Sequence, residues 1–66
     1  MQIIVNGKPR EIDGEMDLPA FLARHGINPR LVAVAINGDV IPKDAWAATR
    51  VRAGDALEIV RMVGGG

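Results

Sequence analysis

The sequence lacks most of the residues that do chemistry at enzyme active sites. It has no cysteine and no serine, and His25 is its one histidine. A disulfide and a thiolate metal site are therefore excluded, as are serine and cysteine nucleophiles. Acidic residues alternate between positions 11 and 17, but a solvated polar turn explains them better than acid–base catalysis does. We expect no metal site and no catalytic activity of the chain's own.

Net charge and long apolar runs are also missing. Eight basic residues balance eight acidic ones, so no charge block favours phosphate backbones or anionic lipid. The first apolar run, within MQIIVNGKPRE, is three residues long, far short of a signal-peptide core or a membrane span. These features predict a cytoplasmic protein without nucleic-acid or membrane partners.

Chain length limits the size of the fold. A chain of 66 residues makes one domain and buries only about 60% of the surface that it exposes when unfolded. Such a domain has no room for an enclosed active site, and its apolar pattern alone must hold it together.

The first part of the chain predicts a hairpin. Gln2–Val5 is mostly apolar and β-branched, Asn6-Gly7 is a two-residue turn signal, and residues 8–12 return as a second strand. Pro9 places that second strand at a sheet edge, because proline has no N–H to donate.

A short helix of about two turns is predicted next. Asp17 is a plausible N-cap, Pro19 lies in the first turn, and apolar residues follow at i, i+3 and i+4. Gly26 ends the helix, with Ile27 placed for the apolar contact of a Schellman motif. His25 then interacts with the C-terminal end of the helix dipole.

Two further segments complete the middle of the chain. In LVAVAI, one face carries Val32, Val34 and Ile36, and the other face carries small alanines that leave room for a helix. A turn at positions 37–39 leads to a short strand at 40–41, and an irregular segment follows, anchored by a half-buried Trp46.

The last strand is predicted over residues 56–62. Leu57 and Ile59 share one face, whereas Val60 and Met62 share the other with Glu58. The element order predicts a two-layer α+β domain, with a sheet of about five strands and one helix on one face. The opposite face is left for solvent or a partner, so Val60, Arg61 and Met62 are candidate docking residues. Arg50, Arg52 and Arg61 could form a basic patch near the last strand that docks an acidic partner, but a solvated sheet rim explains them better.

The chain ends on MVGGG, directly after that strand. Such an end is typical of a frayed terminus or a cloning remnant, and composition alone does not separate these from a functional tail. Gly64, Gly65 and Gly66, fully extended, span about 10 Å and fit a channel as narrow as a backbone. The carboxylate of Gly66 is an anion that nucleophiles attack poorly, so an enzyme has to activate it, for instance by adenylation.

Four segments resemble the ThiS family of sulfur carrier proteins of thiamin biosynthesis: VNGKPRE, DLPAFLARHGI, AVAINGDVIPKDAW and AGDALEIVRMVGGG. Together they cover essentially the whole chain, and Pro19 is a mild departure at the helix start. The resemblance implies a β-grasp, ubiquitin-like domain over residues 1–63, with adjacent parallel first and last strands. It also implies a flexible tail over residues 64–66.

The resemblance further implies a reaction cycle at Gly66. A ThiF-like adenylyltransferase uses Mg-ATP to make the acyl-adenylate, and sulfur from a cysteine desulfurase route displaces AMP. The resulting thiocarboxylate delivers sulfur to a ThiG-like thiazole synthase, while Gly64 and Gly65 carry the terminus into the partner sites. The chain itself binds no cofactor in this cycle.

Other functions share the same tail. A MoaD-like subunit of molybdopterin synthase or a tRNA-thiolation carrier uses the same terminal chemistry. MoaD-like chains are typically longer and lack the ING-VIP-W pattern of residues 36–46. A ubiquitin-like binding module with an inert tail and a protein conjugated to lysines through Gly66 are the remaining alternatives.

Overall fold

The computed structural model describes residues 1–62 of the chain. The strands are β1 (Gln2–Val5), β2 (Lys8–Glu11), β3 (Met16–Asp17), β4 (Val32–Ile36), β5 (Asp39–Val40), β6 (Arg50–Val51) and β7 (Ala56–Arg61). Helix α1 spans Leu18–Arg24, and two 3₁₀ helices span Pro29–Leu31 and Lys43–Ala48. The predicted tail, residues 64–66, lies outside the described residues.

The main sheet has five strands in the order β2-β1-β7-β4-β5. Strand β7 pairs in parallel with β1 and antiparallel with β4, so the predicted mixed sheet with parallel first and last strands is confirmed. Strand β2, which contains Pro9, lies at one edge as predicted. The last strand of the chain is therefore the middle strand of the sheet.

Helix α1 begins and ends at the predicted residues. The Asp17 carboxylate accepts a hydrogen bond from the Ala20 N–H at 2.8 Å. At the other end, the Ile27 N–H donates to the Leu22 carbonyl at 2.9 Å, and Gly26 has a φ of +68°. This is the Schellman motif, in which a glycine takes the left-handed conformation that costs other residues more.

The core lies between α1 and one face of the main sheet. Its buried residues are Ile3, Ile12, Leu18, Phe21, Leu22, Val32, Val34, Ile36, Trp46, Val51 and Leu57. The alanines of β4 do not lie under the helix, so that prediction was wrong. The larger valines and isoleucine face α1, because they supply more apolar area to bury than alanine does.

A second, two-stranded sheet closes one end of the core and was not predicted. Strand β3 pairs antiparallel with β6, with Met16 opposite Val51 and Asp17 opposite Arg50. The Val51 side chain is fully buried. The polar stretch before α1 is therefore partly a strand, not only a turn.

Trp46 anchors the second 3₁₀ helix more firmly than predicted. It is 6% exposed, so it is a buried residue and not a half-buried one. Its indole N–H donates to the Ile41 carbonyl at 2.9 Å, and the Lys43 ammonium lies 5.6 Å from the ring centroid. The side chain thus packs its ring while its polar atom keeps a partner.

In the part of the chain from Met1 to Met62, no helix is long and apolar enough to cross a bilayer.

Candidate functional site

The candidate site is the end of β7, where the chain leaves the sheet toward the predicted tail. The Met62 N–H donates to the Leu31 carbonyl at 2.8 Å, which continues the β4–β7 pairing one step beyond the strand. Gly64, Gly65 and Gly66, the predicted tail and activation site, fall outside the described residues, so their roles stay predictions. The structure fixes the point from which they start, at the end of the sheet's middle strand.

Two Asn-Gly turns hold β7 from both sides through their side chains. The Asn6 amide donates to the Ile59 carbonyl at 3.1 Å and accepts from the Ile59 N–H at 2.8 Å. On the other side, the Asn37 side-chain oxygen accepts from the Ala56 N–H at 3.0 Å. Both asparagines have a φ of 52°, a conformation in which asparagine is enriched. The sequence indicated the two turns, but not these contacts to the last strand.

The sheet surface opposite α1, here called the open face, carries several exposed apolar side chains together with the exposed Glu58. Val60 is 54% exposed and Met62 47%, near the end of β7. Ile4 and Val40, on β1 and β5, are 42% and 75% exposed. Ala33 lies opposite Val60 in the ladder, and the small alanine side chain leaves a shallow hollow beside it. The predicted exposure of Val60 and Met62 is confirmed, while their docking role stays a prediction.

Arg61 does not share the open face with Val60. Side chains alternate along a strand, so Arg61 has the same side as the buried Leu57 and the partly buried Ile59. Its ladder partner is Val32, which belongs to the core. The three candidate docking residues are therefore divided between two faces, with Arg61 at the rim of the helix side.

The three arginines proposed as a basic patch are also divided. The Arg50 and Arg52 guanidinium groups lie 3.8 and 3.9 Å from the Glu15 carboxylate, and the backbone N–H of Arg52 donates to the Asp55 carboxylate at 2.8 Å. Asp55 precedes β7, whereas Arg61 ends it. A six-residue strand rises about 17 Å from end to end at about 3.3 Å per residue, so no single patch forms.

His25 has the structural role expected at a helix end. Its Nδ1 lies 3.0 Å from the Phe21 carbonyl, and its ring centroid is 4.3 Å from that of Phe21. Across residues 1–62, no three histidine, cysteine or acidic side chains come together in a way that would hold a metal ion.

Comparison with known families and structures identifies what the fold is similar to. The sequence model of the ThiS family matches residues 3–66. The crystal structure of a thiamine biosynthesis protein (ThiS) from Geobacter metallireducens superposes with a TM-score of 0.89 at 36% identity, covering 100% of both chains. The solution structure of a thiamine biosynthesis protein from the same organism has a TM-score of 0.80. The predicted β-grasp fold is confirmed.

Two longer relatives carry a different name. A thiazole synthase of Paramagnetospirillum magneticum is 39% identical over 66 residues, and one of Magnetococcus marinus is 32% identical. Each match covers 100% of this chain, which spans about 20% of the length of each relative. The similarity therefore links this small domain to proteins named for thiazole synthesis.

Proposed function

The chain belongs to the ThiS family, and on that basis we propose that it is a sulfur carrier of thiamin biosynthesis whose sulfur attaches at Gly66. One observation carries the proposal: the family match extends through residue 66, so it includes the glycine tail as well as the folded domain. The end of the sheet's middle strand, exposed on one face, is a suitable base for such a tail. The chain is then the substrate of its partner enzymes and not itself a catalyst.

The chemistry at Gly66 requires activation by a second protein. A carboxylate oxygen of Gly66 attacks the α-phosphorus of ATP and releases pyrophosphate, which leaves an acyl-adenylate. The outer sulfur of a persulfide then attacks the acyl carbon and expels AMP, which leaves an acyl disulfide. A thiol reduces the S–S bond of that acyl disulfide, and the products are the thiocarboxylate and a second disulfide. We assign the first step to a ThiF-like adenylyltransferase with Mg-ATP, and the sulfur to a cysteine desulfurase route. The chain contributes an unhindered terminal glycine.

We assign the acceptor step to a ThiG-like thiazole synthase. Support comes from the two longer relatives named thiazole synthase, each of which contains a region similar to the whole of this chain. The open face around Val60 and Met62 is the surface that we assign to docking, because both side chains are large, apolar and about half exposed. Apolar side chains of this kind gain most from burial against a partner.

Reconstitution of thiazole formation tests this function. The assay combines the purified chain with a ThiF-like enzyme, Mg-ATP, a cysteine desulfurase with cysteine, a thiol reductant, and a thiazole synthase with its substrates. It should yield the thiazole product, and omission of the chain should abolish that product. A parallel assay with the large subunit of a molybdopterin synthase tests the MoaD-like alternative. Thiazole formation that is independent of the chain would contradict the proposal, and activity only in the molybdopterin assay would support the alternative.

A further inference from the structure

The backbone groups of β7 point alternately toward its two neighbouring strands. The Ala56 carbonyl accepts from the Asn37 N–H at 2.8 Å, and the Met62 N–H donates to the Leu31 carbonyl. The backbone N–H and C=O groups of even-numbered residues therefore point toward β4. The Leu57 carbonyl accepts from the Asn6 N–H at 2.9 Å, so the backbone N–H and C=O groups of odd-numbered residues point toward β1. This alternation is the normal pattern of a strand with a partner on each side.

Strand β1 ends before β7 does. It pairs with β7 only from Ile4 to Val5, and the chain then turns away at Asn6. The Asn6 side chain takes the place of one more β1 residue, because it bonds both the N–H and the C=O of Ile59. The ladder on the β1 side therefore stops at Ile59, two residues before the end of β7.

The next odd-numbered residue, Arg61, lies beyond that stop. Its pairing with Val32 is of the non-hydrogen-bonded type, because the adjacent Leu31–Met62 pair is hydrogen-bonded and the two types alternate. The Arg61 N–H and C=O consequently point to the β1 side. There β1 pairs with β7 no further than Val5 with Leu57, and no other part of the described chain from Met1 to Met62 bonds these two groups. Arg61, at this short open edge, is an exposed residue.

We propose that the open edge at Arg61 is a strand-addition site for an extended backbone segment of thiazole synthase, the acceptor enzyme; this rests on the function proposed above. Such a segment lies in line with β1 and exchanges hydrogen bonds with the Arg61 N–H and C=O. The site lies three residues before Gly64, so pairing there holds the chain extended as it enters the partner. Val60 beside it contributes apolar contact on the open face.

A second copy of the chain is a poor occupant of this edge. The outer strand β2 contains Pro9, which has no N–H to donate. The other outer strand, β5, is two residues long, too short to add a stable ladder. A different protein with a free backbone segment fits better, and the acceptor enzyme has to contact this part of the chain in any case.

Amide hydrogen exchange measured by NMR tests the proposal. In the free protein the Arg61 N–H should exchange as an unbonded amide, and saturating unlabelled thiazole synthase should slow it at least about tenfold through a new hydrogen bond. The Ile59 N–H, already bonded to Asn6, serves as the internal control and should be protected in both states. Unchanged Arg61 exchange in a complex that does form would overturn the strand-addition site while leaving the proposed function intact.

Two substitutions at position 61 separate the contribution of the backbone N–H to binding from that of the side chain. Arg61→Ala removes the side chain and keeps the N–H, whereas Arg61→Pro removes both without breaking a ladder bond to β4. Binding to thiazole synthase should be weakened about tenfold more by proline than by alanine, because the partner's acceptor is left unpaired. Circular dichroism verifies that both variants fold, and the exchange measurement on the unaltered chain does not depend on them. Equal losses would overturn the proposal, and an absence of any binding by the unaltered chain would overturn the proposed partner as well.

Discussion

The side-chain amide of Asn6 pairs with both the N–H and the C=O of Ile59, 53 residues away, at 2.8 and 3.1 Å. The Asn6 side chain thus makes the two hydrogen bonds that the backbone of a further β1 residue would make, at the point where β1 turns away from β7. The contact ties the first turn of the chain to the strand that leads into the glycine tail. The contact helps to position the strand from which the tail starts, although neither residue takes part in the proposed reaction.

Replacing Asn6 should reveal what this contact contributes. Asn6→Gly keeps the positive φ of 52° and removes two hydrogen bonds, so we expect the free energy of unfolding to fall by about 1 to 3 kcal/mol. Asn6→Ala loses the same bonds and adds backbone strain, so it should be about 1 kcal/mol worse than glycine. Urea unfolding measures both. Stability equal to that of the unaltered chain in both variants would show that the contact is not stabilising.

The indole N–H of Trp46 offers a second test of the core. Trp46→Phe keeps an aromatic ring but removes the hydrogen bond to the Ile41 carbonyl, so we expect a loss of about 1 to 3 kcal/mol from the unpaired carbonyl and the smaller ring. Unfolding has to be followed by circular dichroism and not by tryptophan fluorescence, because Trp46 is the one tryptophan of the chain and the variant lacks it. Lys43→Met is the control for the contact between the ammonium and the ring, and should cost less than about 1 kcal/mol. A tryptophan variant no less stable than this control would contradict the anchoring role.

The open face should matter for docking more than for folding. Val60 is 54% exposed, so Val60→Asp should weaken binding to thiazole synthase by about tenfold or more while changing stability by less than about 1 kcal/mol. Val34→Asp, at a residue 1% exposed on the neighbouring strand, is the matched control and should unfold the domain. Calorimetry and urea unfolding give the two quantities. If Val60→Asp unfolded the domain and Val34→Asp did not, the two faces of the sheet would be assigned the wrong way round.

Removing Gly65 and Gly66 should leave the fold unchanged. The buried core extends from Ile3 to Leu57, well before these residues. We expect a change in the free energy of unfolding of less than about 0.5 kcal/mol, measured in urea against the full-length chain. A large loss of stability would show that the tail belongs to the folded structure.

Local patterns in the sequence were enough to predict the helix and the hairpins. Asp17 and Gly26 mark the two ends of α1 because each satisfies backbone groups only a few residues away. The β3–β6 sheet could not be found this way. Its strands are two residues each, too short to show a period, and the Met16–Val51 pairing forms only once the core has brought them together.

The candidate site was predicted only in part. Alternation along β7 correctly placed Val60 and Met62 on the exposed face, but the same rule puts Arg61 on the other side. For β4 the sequence showed two faces without saying which one meets the helix, and the small alanines suggested the wrong one. The contacts of Asn6 and Asn37 with β7 depend on strand order, which composition and periodicity do not contain.

The most direct test is the intact mass of the chain after incubation with a ThiF-like enzyme, Mg-ATP, a cysteine desulfurase with cysteine, and a thiol reductant. Fragmentation then locates the change. We expect a mass gain equal to the difference between a sulfur and an oxygen atom, located at Gly66. The folded variant without Gly65 and Gly66 should show no gain. An unchanged mass for the full-length chain, or the same gain in the truncated variant, would contradict a sulfur carrier that works through its terminal glycine.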